Sequence, residues 1–164
     1  MASSSKYGDI KLSINATVLF EFLTPALANE GLETMVNRVG KFNYDTNTHS
    51  LPKKKINAFL KWSHLDYEID LNARHIDGYK NQRPVTGLGL SYGYKNTVDS
   101  FLVFDLSLKR SFILESGEID LKLSIINLLD ESSPRLYDAP DFSFDTRVHD
   151  PRGRITGINF EYRH

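Results

Sequence analysis

The chain has 164 residues, with 20 Lys plus Arg against 21 Asp plus Glu and a formal net charge of -1, which excludes a bulk basic nucleic-acid binder. Hydrophobic residues are 40% and charged residues 25%, a balance that favours folding over disorder. Cysteine is absent, so disulfides, thiolate metal sites and cysteine nucleophiles are out. No run of about 18 apolar residues is present to make a membrane-spanning helix.

Alternation dominates the chain from its start. Ile10, Leu12, Ile14, Ala16, Val18, Phe20 and Phe22 fall on one side, against Lys11, Ser13, Asn15, Thr17 and Glu21, which predicts a first strand of thirteen residues. Ile56, Ala58, Leu60 and Trp62 predict a second strand, and Tyr67, Ile69, Leu71 and Ala73 a third. Leu102, Phe104, Leu106 and Leu108 mark the fourth, Ile119, Leu121, Leu123 and Ile125 the fifth, and Ile158, Phe160 and Tyr162 the last. Each has one apolar and one polar face, as antiparallel strands do.

Residues 63–66 and 114–117 are hairpin-sized links. Residues 23–52, 78–98 and 130–151 are long connections, uncommon inside a compact domain unless they are functional. Long and short links alternate, so the long ones gather at one end of the sheet. The expected fold is an all-β, antiparallel up-and-down meander of about six strands over residues 1–164, laid out as part of a transmembrane β-barrel. Alternation does not reveal which face is inside. A soluble six-stranded sandwich or small barrel binding a hydrophobic ligand is therefore the alternative.

In the first long connection, Thr24 as N-cap, Pro25 at the first helical position and Gly40 beyond the end predict a short helix. In the second, Tyr79, Tyr92 and Tyr94 are candidate ligand contacts. In the third, Arg135, Tyr137, Phe142, Phe144 and Arg147 can grip an aromatic or anionic ligand by stacking, cation–π contact and charge-assisted hydrogen bonds. Packing of the loops against one another is the competing reading of all eight. The stretch GLGLSYG (87–93) is not a dinucleotide fingerprint, because its last gap is one residue too long and no helix is expected after it. Asp138, Asp141, Asp145 and Asp150 miss the calcium-loop pattern and read as a solvated acidic loop. The five histidines lack metal-ligand spacing. No catalytic residue, metal or cofactor is expected, and the chain does not read as an enzyme.

Several stretches together resemble the TonB-dependent outer-membrane receptors. LPKKKINAFLKW (51–62) with DYEIDLNARHIDGYK (66–80) is similar to a late hairpin of that family, with His75 where Tyr is more usual. VDSFLVFDLSLKRSF (98–112) looks like the strand with a central Asp. IDLKLSIINLLDESSP (119–134) carries an Asn-Leu-Phe-Asp-Glu-like strand end with Leu129 for Phe, and the DPRGR run (150–154) leads into the last strand. Gly157, Phe160 and Tyr162 match the glycine-x-x-aromatic-x-aromatic pattern read by the barrel assembly machinery, although the chain ends in His164 where the family usually has an aromatic.

The resemblance implies the C-terminal part, about six strands, of a 22-stranded barrel in the outer membrane of a Gram-negative bacterium. The family adds a plug domain with an energy-coupling box that binds TonB, and it takes up large scarce solutes such as ferric siderophores, cobalamin or oligosaccharides. Outer-membrane lipid and, in the intact parent, the plug and TonB are the implied partners; nucleic acid is not. The start, MASSSKYGDIK, has no secretory-signal pattern, so the natural N-terminus is expected elsewhere. Without plug and remaining strands the segment is not expected to transport. Trp62, Tyr67, Phe160 and Tyr162, near strand ends on the tight-turn side, are expected to form an aromatic girdle.

Overall fold

A computed structural model describes residues 6–28, 30–31, 34–43, 49–137 and 143–164, with the His49 side chain excepted. In chain order the strands are β1 (Asp9–Val18), β2 (Leu23–Pro25), β3 (Met35–Asn37), β4 (Lys41–Asn43), β5 (His49–Ser50), β6 (Lys54–His64), β7 (Tyr67–Ile76), β8 (Tyr79–Asn81), β9 (Thr97–Val98), β10 (Phe101–Leu114), β11 (Gly117–Ile126) and β12 (Ile155–Arg163), with one short helix, α1 (Gly87–Ser91), between β8 and β9.

The six long strands form one sheet in the order β1-β6-β7-β10-β11-β12, every neighbour antiparallel. The sheet is an open up-and-down meander. Its register is set by the alternation: Leu12, Leu60, Leu71, Leu106, Ile125 and Thr156 lie in one row across all six strands. The next row on that face is Ile10, Trp62, Ile69, Leu108, Leu123 and Ile158. Between them, on the other face, run Lys11, Lys61, Asp70, Ser107, Ser124 and Gly157. A slip of one residue at any joint would send a whole strand's apolar set to the polar face.

Tight turns at Leu65–Asp66 and Glu115–Ser116 lie at one end, and residues 19–53, 77–100 and 127–154 connect the strands at the other. The long connections have their own structure. β4, β5, β8 and β9 form a small sheet joining the first two connections, and Phe42, Tyr79, Val98 and Leu136 from all three make a buried cluster. The loops fold over the polar-face side of the sheet. Phe101 and Val103, which point that way, are buried while Leu102 between them is exposed.

The core therefore sits under the loops and not on the apolar face. Ile10, Leu12, Ile14, Ile158 and Phe160 are 63–77% exposed, and Leu60, Leu108, Leu121 and Leu123 on the inner strands are also exposed. Burying a large apolar side chain is worth about 1.5–3 kcal/mol. Among the described residues nothing covers this face.

Three sequence expectations are corrected. The helix expected from Thr24 is a two-stranded ladder, β2 with β3. The Thr24 hydroxyl oxygen accepts from Arg38 Nε at 2.6 Å instead of capping a helix, and Arg38 also donates to the Pro25 carbonyl at 3.1 Å and to Glu30 Oε2 at 2.7 Å. The first strand stops at Val18, ten residues long, and Phe20 and Phe22 lie in the connection beyond it. The glycines of GLGLSYG themselves turn into α1, a single helical turn.

Candidate functional site

Two polar assemblies and one surface cluster arise from this layout. The first lies on the polar face near the loop end. Asp105, in the loop-end half of β10, accepts from Arg74 Nε at 3.1 Å and Nη2 at 3.2 Å, from Asn72 Nδ2 at 3.3 Å, and from the backbone N–H of Asn127 at 3.0 Å. Asn127 sits at the end of β11 with φ 54°, a left-handed conformation that Asn tolerates. Its side chain closes a loop by donating to the Glu131 carbonyl at 2.8 Å and accepting from the Glu131 N–H at 2.9 Å. Asp130 Oδ1 then accepts the Arg154 N–H at 2.7 Å. Asp105, Asn127 at the end of β11 and the DPRGR run thus meet in one knot. Beside it is a pocket of about 90 Å³ lined by Arg74, Phe101, Val103, Asn127, Val148 and Asp150 among others. Asp150 is held down to about 2 by hydrogen bonds from the Arg152 side chain and backbone.

The second assembly is buried and ties the three connections together. Tyr79 Oη donates to Asp145 Oδ2 at 3.1 Å and meets His149 Nε2 at 3.2 Å. Ser50 Oγ also donates to Asp145, and Asp145 Oδ1 accepts the Arg147 N–H at 3.0 Å. Tyr79 stacks on His149 with centroids 6.1 Å apart, and Phe101 meets His149 edge-on at 5.2 Å. Burial pushes the Tyr79 phenol up, with the Asp145 charge adding to it, while burial lowers His149. Asp145 is not part of a solvated acidic loop, contrary to the expectation; only 3% of it is exposed. Asp138 and Asp141 lie outside the described residues. Tyr79 is a packing residue here rather than a free ligand contact.

The third group does bring candidate contacts together. The Arg135 guanidinium lies 4.2 Å from the Tyr94 ring centroid, and Tyr94 meets Tyr137 edge-on at 5.5 Å. Arg135 Nη1 donates to the Tyr92 carbonyl at 3.1 Å. Tyr137 Oη pairs with Thr86 Oγ1 at 2.7 Å, and its ring leaves no space for a Cβ at Gly89 of α1. The Tyr94 phenol is lowered by a hydrogen bond from Ser143 and then by Arg135. Tyr92 is exposed, Phe144 half-buried and Arg147 exposed; Phe142 lies outside the described residues. Tyr94, Arg135 and Tyr137 therefore form one aromatic–cationic cluster, to which Tyr92 contributes its backbone carbonyl, and Tyr79 is not in it.

At the tight-turn end, Trp62 Nε1 donates to the Tyr7 carbonyl at 3.0 Å and Tyr162 Oη to the Ser116 carbonyl at 2.7 Å. The Arg110 guanidinium lies 4.8 Å from the Tyr67 ring and 4.6 Å from the Phe112 ring and donates from Nε to Asp66 at 3.0 Å. That hydrogen bond holds the Asp66 carboxyl below its usual range. Phe160 and Tyr162 stand on the apolar face of β12, and Gly157 on its polar face with open space around it.

Sequence reasoning singled out neither Arg38 nor the meeting of Ser50, Tyr79, Asp145 and His149. Their partners are 8 to 95 residues apart, and no local pattern reports such pairings. No family model matches the chain, and no curated protein or solved structure matches it either. Among the described residues, no group of three or more His, Asp or Glu is placed to hold a metal ion. No described helix is long and apolar enough to cross a membrane, which says nothing of strands.

Proposed function

We propose that this chain forms part of the wall of an outer-membrane β-barrel of the TonB-dependent receptor type, serving uptake of a large scarce solute. The observation that carries this reading is the uncovered apolar face, continuous over six antiparallel strands, with all long connections at one end. Strands of 9–14 residues have the length to cross a bilayer at the usual tilt. Lipid would cover the apolar face, and the opposite face, with ion pairs such as Lys61–Glu68, Arg74–Asp105 and Lys109–Asp120, suits a wet interior.

The aromatic and arginine contacts at the turn end fit a membrane–water boundary. The cluster of Tyr94, Arg135 and Tyr137, on the opposite loops, would face the outside. There it offers ring faces and a cation to an aromatic or anionic solute such as a ferric siderophore. A soluble hydrophobic-ligand module needs the apolar faces to converge on a core, and the exposed face favours the membrane reading.

The single tryptophan gives the test. Trp62 lies on the apolar face beside Ile10 and Ile69. On refolding into lipid vesicles its emission should shift to the blue and be quenched by brominated acyl chains. A cooperative melt in plain buffer, with Trp62 unaffected by brominated lipid, would refute the membrane reading.

A further inference from the structure

The small pocket beside Asp105 lies at the joint between the sheet and the third connection. Across the β7–β10 pair, Arg74 stands opposite Val103 and Ile76 opposite Phe101, and Phe101 and Val103 are buried. Ile126 at the end of β11, with Val148 and Asp150 of the connection, completes a space of about 90 Å³. β7, β10 and β11 each have a hydrogen-bonded neighbour on both sides, so the pocket does not depend on the edges of the sheet. Its volume is the share of about three liquid waters, enough for a compact molecule of about six heavy atoms.

Ligand pockets combine apolar walls with a few polar groups that fix orientation. Here Phe101, Val103, Ile126 and Val148 are apolar, while Arg74 and Asp150 bring charges of opposite sign. Neither charge is used up. Arg74 gives Nε and Nη2 to Asp105, and its Nη1 donates to no described residue. Asp150 accepts from Arg152 Nε at 3.0 Å and Nη2 at 2.8 Å. The Arg152 side chain is 69% exposed, and an ion pair so open to water contributes little. Another cation can replace it at small cost. Arg74 and Asp150 also lie near enough for the Arg74 charge to help hold the Asp150 carboxyl down, after the larger effect of Arg152.

Counted with Asp105 and Arg152, the charges at the pocket cancel. A ligand with net charge would leave one of them unbalanced in a partly apolar enclosure, which is costly. A ligand that carries both signs keeps the sum at zero. We propose that this pocket binds a small zwitterionic α-amino acid. Arg74 Nη1 donates to its carboxylate, its ammonium donates to Asp150 in place of Arg152, and its short apolar side chain rests on Val103, Ile126 and Val148. Alanine matches the volume. The site needs only the joint of sheet and connection, and it goes beyond the receptor reading.

Isotope-labelled full chain, refolded in detergent micelles, should report added alanine through the amide signals of Val148 and Gly153, saturating in the millimolar range. At equal ionic strength, propionate and ethylamine each lack one charge and should bind at least about tenfold more weakly. Glycine should bind about fourfold more weakly, the loss of one buried methyl group. Asp150→Asn should bring alanine down to the level of propionate. Val148→Phe, which fills the pocket from its loop wall and leaves the charges in place, should abolish saturation. No saturable response to alanine, propionate binding as tightly as alanine, or an alanine affinity unchanged in both variants would overturn the proposal and leave the pocket to water. Trp62 emission reads the opposite face of the sheet, so this inference and the membrane reading fail separately.

Discussion

Arg38 is fully buried, and its guanidinium donates to oxygens of its own connection: Thr24 Oγ1, the Pro25 carbonyl and both Glu30 oxygens. The Arg38 hydrogen bond, followed by the Leu27 N–H, draws Glu30 from 4.5 to about 2. A carboxylate lowered in the folded state contributes stability that is complete above about pH 4.5 and is lost as pH falls through about 2. Glu30→Gln should remove that acid sensitivity. It should also cost on the order of 3 kcal/mol locally, since it leaves a buried guanidinium without its counter-charge. Faster hydrogen exchange at the amides of Ala26 and Arg38, which bond to Thr34 and Phe22 carbonyls, would report it. His149 carries the opposite charge logic. Burial lowers it below 6.5, Asp145 opposes that shift and Lys55 adds to it. The unfolded chain then binds more protons, so the loop cluster should lose stability as pH falls below about 6.5 and level off below the folded value. Exchange at the Val148 and His149 amides, both bonded to the Asp145 carbonyl, should quicken across that window. His149→Phe should abolish the dependence.

Strand faces are where a single residue tells lipid from water. Leu108 lies between Ile69 and Leu123 on the apolar face, and Ser107 between Asp70 and Ser124 on the polar one. In vesicles, Leu108→Arg should destabilise the fold by about 2–4 kcal/mol if its row lies near the bilayer midplane. Ser107→Arg should be close to neutral, because Asp70 Oδ1 has no hydrogen-bond partner among the described residues. Denaturant titration of the vesicle-bound chain gives both numbers, and equal small effects would mean that the apolar face meets water. The connections follow a different rule. Their order comes from a buried polar knot and a small apolar cluster, so the β2–β3 ladder stands where Thr24 and Pro25 advertise a helix.

For the whole molecule, the sheet is open, and stability should rise from its edges to its middle. β7 and β10 are hydrogen-bonded on both sides, while β1 and β12 have one bare edge each. In dilute micelles, hydrogen exchange should be slowest in β7 and β10 and fastest at the outward amides of β1 and β12.

Much of this architecture was legible in the sequence because a strand in a half-buried sheet repeats every two residues. The six long strands, the tight turns near 65 and 115, and the gathering of long connections at one end all follow from alternation and spacing. The aromatic–cationic cluster was half legible: Tyr94, Arg135 and Tyr137 were flagged by residue type, and Tyr79 was flagged for the same reason but is buried beside Asp145 and His149. Alternation assigns residues to faces but is blind to which face is covered. Only the tertiary structure decided that the apolar face stands open, that the loop end holds the core, and that Arg38 and Asp145 are buried with partners. Those outcomes depend on contacts between distant segments, whose energy outweighs the local preferences a sequence displays.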